Sequence, residues 1–207
     1  MICVRVLNPT IAIAVVAVLA MQTCVTWGAE PLSTAEQAAT TTGEQQPNEG
    51  ETDLHAAALA GDTEAIRRLV AAGADVDEHS FSHYYRTPLH IAPLSGRADA
   101  VATLLALGAS PDRADAYGFT PFHHAAQAGE LASLEALLAA GADANAITEH
   151  GYTALHLAAA REPQRIVNFL LESGLSPDAK DVFGRTPLHY AAASGRLYAV
   201  KWLVEHN

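Results

Sequence analysis

Thr120-Pro121-Phe122-His123 has three near-copies along the chain: Thr87-Pro88-Leu89-His90 before it, then Thr153-Ala154-Leu155-His156 and Thr186-Pro187-Leu188-His189 after it. Each copy lies 33 residues from the next. A constant interval of that size is the sign of a stacked array of supersecondary units. The agreement continues past the phrase. Eleven residues after each histidine stands Val101, Leu134, Val167 or Val200, and aliphatic pairs follow three and four positions later: Leu104-Leu105, Leu137-Leu138, Leu170-Leu171 and Leu203-Val204. That spacing puts the side chains on one face of a helix. Gly108, Gly141 and Gly174 stand where a helix ends in left-handed backbone, and Asn207 falls at the same offset. The threonine suits a helix cap and the proline the first helical position. Ala125-Ala126, Ala158-Ala159 and Ala191-Ala192 predict short first helices that pack closely.

A weaker fifth unit lies upstream. Asp53-Leu54-His55 opens it, and the same offsets then give Gly61, Ile66, Leu69-Val70 and Gly73. His55 precedes His90 by 35 residues, so the first connection carries two extra residues. Together these offsets resemble the ankyrin repeat over about Thr52 to Asn207, three quarters of the chain. The resemblance implies an all-α repeat solenoid of five repeats in a right-angled, L-shaped stack. Each repeat would be a helix-turn-helix with a β-hairpin finger, at about 52–86, 87–119, 120–152, 153–185 and 186–207. No single unit can bury its apolar face, so stability comes from stacking on neighbours. Two departures stand out. Pro93 replaces the alanine of sister repeats, and an interior proline costs about 3 kcal/mol or more, which predicts a shortened or bent first helix. Glu162-Pro163 replaces the Gly-x of Gly61, Gly96, Gly129 and Gly195, which predicts a distorted turn.

Residues 1–28 read as a secretory signal peptide. Arg5 precedes an apolar run from Ile11 to Met21, and Thr26 and Gly28 suit cleavage before Ala29. The run is short for a membrane span, which needs about 20 apolar residues, so an uncleaved inner-membrane anchor is the alternative. Residues 29–51 are Thr, Gln, Glu, Ala and Pro with almost no large apolar side chain, the composition of a disordered polar linker. Residues 52–207 form the repeat domain. The only two cysteines, Cys3 and Cys24, fall inside the signal, so the exported chain has no disulfide or thiolate chemistry. These features predict a periplasmic location.

The chain carries 12 basic and 23 acidic residues, a net charge of −11. Such a balance is poorly suited to phosphate backbones and argues against nucleic acid as a partner. A protein partner fits better, bound by a single copy of the chain.

The fingers between helix pairs are the most informative surface. Phe81, Tyr84, Tyr85, Tyr117, Phe119, Tyr152 and Phe183 all sit there, and loop tips are ordinarily polar. Aromatic side chains are the usual anchors of protein interfaces. Tyr117, His150 and Phe183 precede the turn glycine and are predicted tips, whereas Phe119 and Tyr152 follow it and are predicted to pack between fingers. The first finger is the longest, lacks the turn glycine and carries three aromatic residues. The candidate partner-binding residues are therefore Phe81, His83, Tyr84, Tyr85, Tyr117, His150, Phe183 and Arg185. In the family the resemblance points to, partners dock on this face and the adjoining first helices.

Five of the ten histidines occupy the repeat phrase, where the resemblance implies a structural, hydrogen-bonded role. His79 and His83 are four apart, but without a third ligand of defined spacing a metal site is weakly supported. Ser82 beside His83 forms no recognisable catalytic pattern, and neither a phosphate-binding glycine loop nor HExxH is present. No cofactor and no enzymatic activity are expected. The predicted role is an exported scaffold that stabilises or regulates a periplasmic protein. The alternatives are an immunity-type inhibitor of a periplasmic enzyme and, more remotely, a histidine-based metal binder.

Overall fold

The computed structural model describes residues 53–80, 84–161 and 164–205. Ten helices occupy them: α1 (Asp53–Ala60), α2 (Thr63–Ala71), α3 (Pro88–Leu94), α4 (Ala98–Ala106), α5 (Pro121–Ala128), α6 (Leu131–Ala139), α7 (Ala154–Arg161), α8 (Gln164–Glu172), α9 (Pro187–Ala193) and α10 (Leu197–Glu205). Consecutive helices pair two by two across short turns. The first helices of the pairs pack on one another in chain order, and the second helices do likewise, giving two parallel rows. None of the ten is long and apolar enough to cross a membrane.

The repeat phrase starts a helix by a device that depends on its histidine. Thr87 N–H donates to Nδ1 of His90 at 3.0 Å, and the Thr87 hydroxyl lies 2.8 Å from the same nitrogen. This is a reciprocal capping box in which histidine stands at the third helical position usually held by Glu or Gln. Thr120–His123, Thr153–His156 and Thr186–His189 repeat the geometry. With Nδ1 accepting, the ring proton sits on Nε2 and donates to a backbone carbonyl 29 residues on. His90 reaches Phe119 at 3.1 Å, His123 reaches Tyr152 at 3.2 Å, and His156 reaches Arg185 at 3.1 Å. His55 makes the matching bond to Arg86 at 2.8 Å. His55, His90, His123 and His156 thus each tie a helix start to the base of the following finger.

The core follows from the two rows. Ala57, Ala58, Ala92, Ala125, Ala126, Ala158 and Ala159 let the first helices approach closely, while Ile66, Leu104, Leu134, Leu137, Ile166 and Leu170 fill the space against the second row. Second helices end as the glycines predict. At Gly108 the backbone turns to φ +94°, and Ala109 N–H closes back onto Leu104 at 3.0 Å.

Pro93 stands inside α3. The helix continues through it to Leu94 and has seven residues, one fewer than α1, α5 and α7 and the same as α9, which contains no interior proline. In so short a helix Pro93 forfeits a single backbone bond, and its ring is buried in place of a methyl group. The fingers differ from the expected β-hairpins. Among the described residues the only β-pairing is an isolated antiparallel bridge between Ser80 and Arg86. The loops are too tight for strands. Glu162-Pro163 and Asn207 lie outside the described residues, as do the signal and linker segments.

Candidate functional site

Three fingers share one turn. Asp115 N–H donates to Phe119 at 2.8 Å and Gly118 N–H closes back onto Asp115 at 3.0 Å, with Thr148–Tyr152 and Asp181–Arg185 built alike. Gly118 has φ +79°, and a Cβ there would stand 2.8 Å from the Glu149 backbone nitrogen. The glycine is therefore required both for its left-handed conformation and for the close approach of the next finger. Neighbouring fingers are joined by one backbone bond each: Ala116 to Tyr84 at 2.9 Å, Glu149 to Tyr117 at 3.2 Å, and Val182 to His150 at 3.1 Å.

These bonds bring the finger tips into a row. Tyr84, Tyr117, His150 and Phe183 stand at successive intervals of 33 residues, one ring for each finger. All four are exposed, with Tyr84 at 52%, Tyr117 at 46% and Phe183 at 65%. The Tyr84 and Tyr117 rings lie 5.3 Å apart. Val182 and Ile147, also exposed, widen the apolar character of the surface. Phe119 and Tyr152 are half-buried and point back to the helix starts, where Phe119 contacts His123 and His124, and Tyr152 contacts His156 and Tyr190. Phe81 and His83 lie outside the described residues.

Tyr85 occupies the place of Gly118, Gly151 and Gly184. It takes the same left-handed backbone, φ +61°, and its neighbour Tyr84 does so as well, at φ +59°. Left-handed backbone costs a side-chain-bearing residue roughly 1–2 kcal/mol. Strain of this kind collects at binding and switch positions, where the surrounding structure holds it in place. Tyr85→Gly is expected to be more stable than Tyr85→Ala by about 1 kcal/mol, reversing the usual preference for alanine. Both variants lose the ring, so urea unfolding of the pair isolates the backbone effect.

Under the tips runs a buried polar network that sequence reasoning did not find. Asp115 Oδ1 accepts from the backbone N–H groups of Tyr117 and Phe119 at 2.9 and 3.0 Å. Its Oδ2 accepts from Arg86 Nε at 3.4 Å and His124 Nε2 at 3.2 Å. Asp181 repeats the pattern two fingers on, with Phe183 and Arg185 N–H on Oδ1, and Arg185 Nε at 2.8 Å and the Tyr190 hydroxyl at 2.6 Å on Oδ2. In the intervening finger the Thr148 hydroxyl takes the place of the carboxylate, accepting from Tyr152 N–H at 3.0 Å. The available signal was an Asp-x-x-Gly turn followed by a ring-bearing polar residue nine positions after the aspartate.

Electrostatics follow from this geometry. Burial by itself would raise the Asp115 carboxyl, but the bonds from His124, Tyr117 and Phe119 outweigh it and hold the group at about 2. Asp181 is held at about 2 in the same way, chiefly by Tyr190 and Arg185. Burial pushes His90 down to about 3 and His123 to about 4, in both cases helped by the nearby His124. His124 itself is lowered by burial despite its bond to Asp115. Its Nδ1 finds no hydrogen-bond partner among the described residues. Burial thus disfavours the charged form of His90, His123, His124 and His156.

A family model described as ankyrin repeats (3 copies) matches residues 29–115 and 122–207. The chain belongs to the ankyrin repeat family. The match begins at residue 29, upstream of α1 and inside the segment read from composition as a linker. A search of curated proteins finds no match. Ankyrin repeats are protein–protein interaction modules, and the family is typically a non-enzymatic scaffold. Among the described residues of this ankyrin array, no three His, Cys, Asp or Glu side chains are grouped to hold a metal ion. His79 instead binds the Tyr85 carbonyl at 3.0 Å and Arg113 at 3.1 Å, bracing the first finger against the next repeat.

Proposed function

We propose that this protein is an exported ankyrin scaffold which binds a periplasmic protein through its finger tips and stabilises or regulates it. The observation that carries the reading is the row of exposed rings at Tyr84, Tyr117, His150 and Phe183, one for each finger. Such rings would seldom be left in water on four successive loops without a surface to cover them. They offer large contact area at low conformational cost and are the side chains that dominate protein interfaces. The turns beneath are locked by Asp115, Thr148 and Asp181, so little further ordering is needed when a partner arrives. The cleavable leader read from residues 1–28 supports export. The test is affinity capture from a periplasmic extract of the native host. A protein retained by the wild type and lost by the Tyr84→Ala, Tyr117→Ala, Phe183→Ala triple variant supports the reading; identical captures from both baits contradict it. The partner's activity in the complex separates the two roles, since a stabilised enzyme keeps its activity and an inhibited one loses it.

A further inference from the structure

Arg185 is fixed on three sides. Its Nε–H donates to Asp181 Oδ2 at 2.8 Å, and the Phe183 and Tyr190 ring centroids each lie 4.8 Å from its Cζ. Asp181 is fully buried at its side chain and is held in turn by two backbone N–H groups and the Tyr190 hydroxyl. The guanidinium has five donors in one plane. Nη2 has a single long contact, to the Tyr152 hydroxyl at 3.5 Å, and Nη1 has no partner among the described residues. The side chain nevertheless keeps 42% of its exposure. Arg86, which serves the equivalent carboxylate Asp115, is only 12% exposed. A clamp on a buried aspartate does not need an open outer edge, yet Arg185 has one. Val182 and Phe183 flank it, at 62% and 65% exposure, and Lys180 on the same finger is exposed too.

We propose that the fourth finger recognises a side-chain carboxylate on the protein partner, with the outer Nη edge of Arg185 as the receptor and Val182 and Phe183 covering an adjacent apolar residue. This rests on the reading of the fingers as a docking surface. A planar guanidinium matches a carboxylate with two parallel bonds, a geometry that lysine cannot reproduce. Because the rings and Asp181 already hold the side chain, binding loses little rotamer freedom. Lys180 and Arg185 against Asp181 leave residues 180–185 with one net positive charge, on a chain of net charge −11. An acidic partner residue is therefore disfavoured over most of the surface and accepted here, which fixes the register of docking.

The experiment selects a phage-displayed library of random 12-residue peptides on the full chain and measures selected peptides by fluorescence anisotropy. The expected consensus places Asp or Glu beside an apolar residue. Arg185→Gln is expected to weaken such a peptide tenfold or more, with Arg185→Lys also weakened. Changing the peptide's acid to its amide is expected to cost a similar factor with the protein unaltered, which removes any ambiguity from a loosened finger. A consensus without an acid, no enrichment, or equal binding by Arg185→Gln overturns the proposal. Peptides lost with Tyr117→Ala but not with Arg185→Gln also overturn it, and leave the docking reading standing.

Discussion

Below pH 6.5 the array is expected to lose stability steeply. His90 and His123 titrate at about 3 and about 4 in the folded chain, because burial disfavours the charged ring, against 6.5 in the unfolded one. Between those values the unfolded state binds protons that the folded state refuses. Their contribution is therefore intact above pH 6.5 and lost as the pH falls. Each such histidine removes about 1.4 kcal/mol per pH unit, so these two together remove about 3. His124 and His156, lowered in the same direction by burial, steepen the loss. From a typical stability on the order of 5–15 kcal/mol, the array unfolds within a few pH units. Asp115 and Asp181 act only later, between 3.8 and about 2, where protonation removes their bonds. Urea midpoints at pH 7, 6 and 5 measure the slope. His123→Gln should lower stability at pH 7 and reduce the slope by one proton's worth. A midpoint that stays constant from pH 7 to 5 would show that these rings are not held neutral.

Asp115→Ala is expected to be among the most damaging single changes at the fingers. It removes four acceptor contacts at once and strands Arg86, whose side chain is only 12% exposed, and the fully buried edge of His124. Breaking a buried pair by removing one partner costs about 3–5 kcal/mol, because the remaining charge is left uncompensated. Asp181→Ala is chemically the same substitution, but Arg185 is 42% exposed and finds water. Its cost should be nearer 1–3 kcal/mol, roughly that of the lost hydrogen bonds. Chemical unfolding of the two variants side by side separates them. Equal losses would mean that exposure of the arginine does not set the cost.

What was legible in the sequence, and what was not, divides along a physical line. Helix starts, helix-ending glycines and the aliphatic stripes depend on local backbone and periodicity, so Thr120-Pro121 and Gly141 could be read directly. The exposure of Tyr117 and Phe183 and the half-burial of Phe119 and Tyr152 followed from their side of the turn glycine. The role of the phrase histidine within its own turn is less evident, because a Thr–Pro pair already looks like a complete helix start; the ring's capping bond to the threonine appears only once the helix is built. The Asp115–His124–Arg86 network was out of reach for another reason. Arg86 comes from the previous finger, and contacts 29 residues apart carry no local pattern. Tyr85 was recognisable as the missing glycine, but not as a tyrosine that keeps the glycine's conformation. Pro93 was legible as a shortening element, and α3 is one residue shorter than α1, α5 and α7.

The row of tip rings is the central claim, and the dissociation constant of the captured partner for Tyr117→Ala tests it most directly. Tyr117 sits within the row, in ring contact with Tyr84 and joined to the third finger through its carbonyl. A central interface tyrosine costs about 2 kcal/mol or more when truncated, close to a thirtyfold loss of affinity. A loss of that size is expected, with the array's unfolding midpoint unchanged. Unaltered affinity in a folded Tyr117→Ala protein would contradict it.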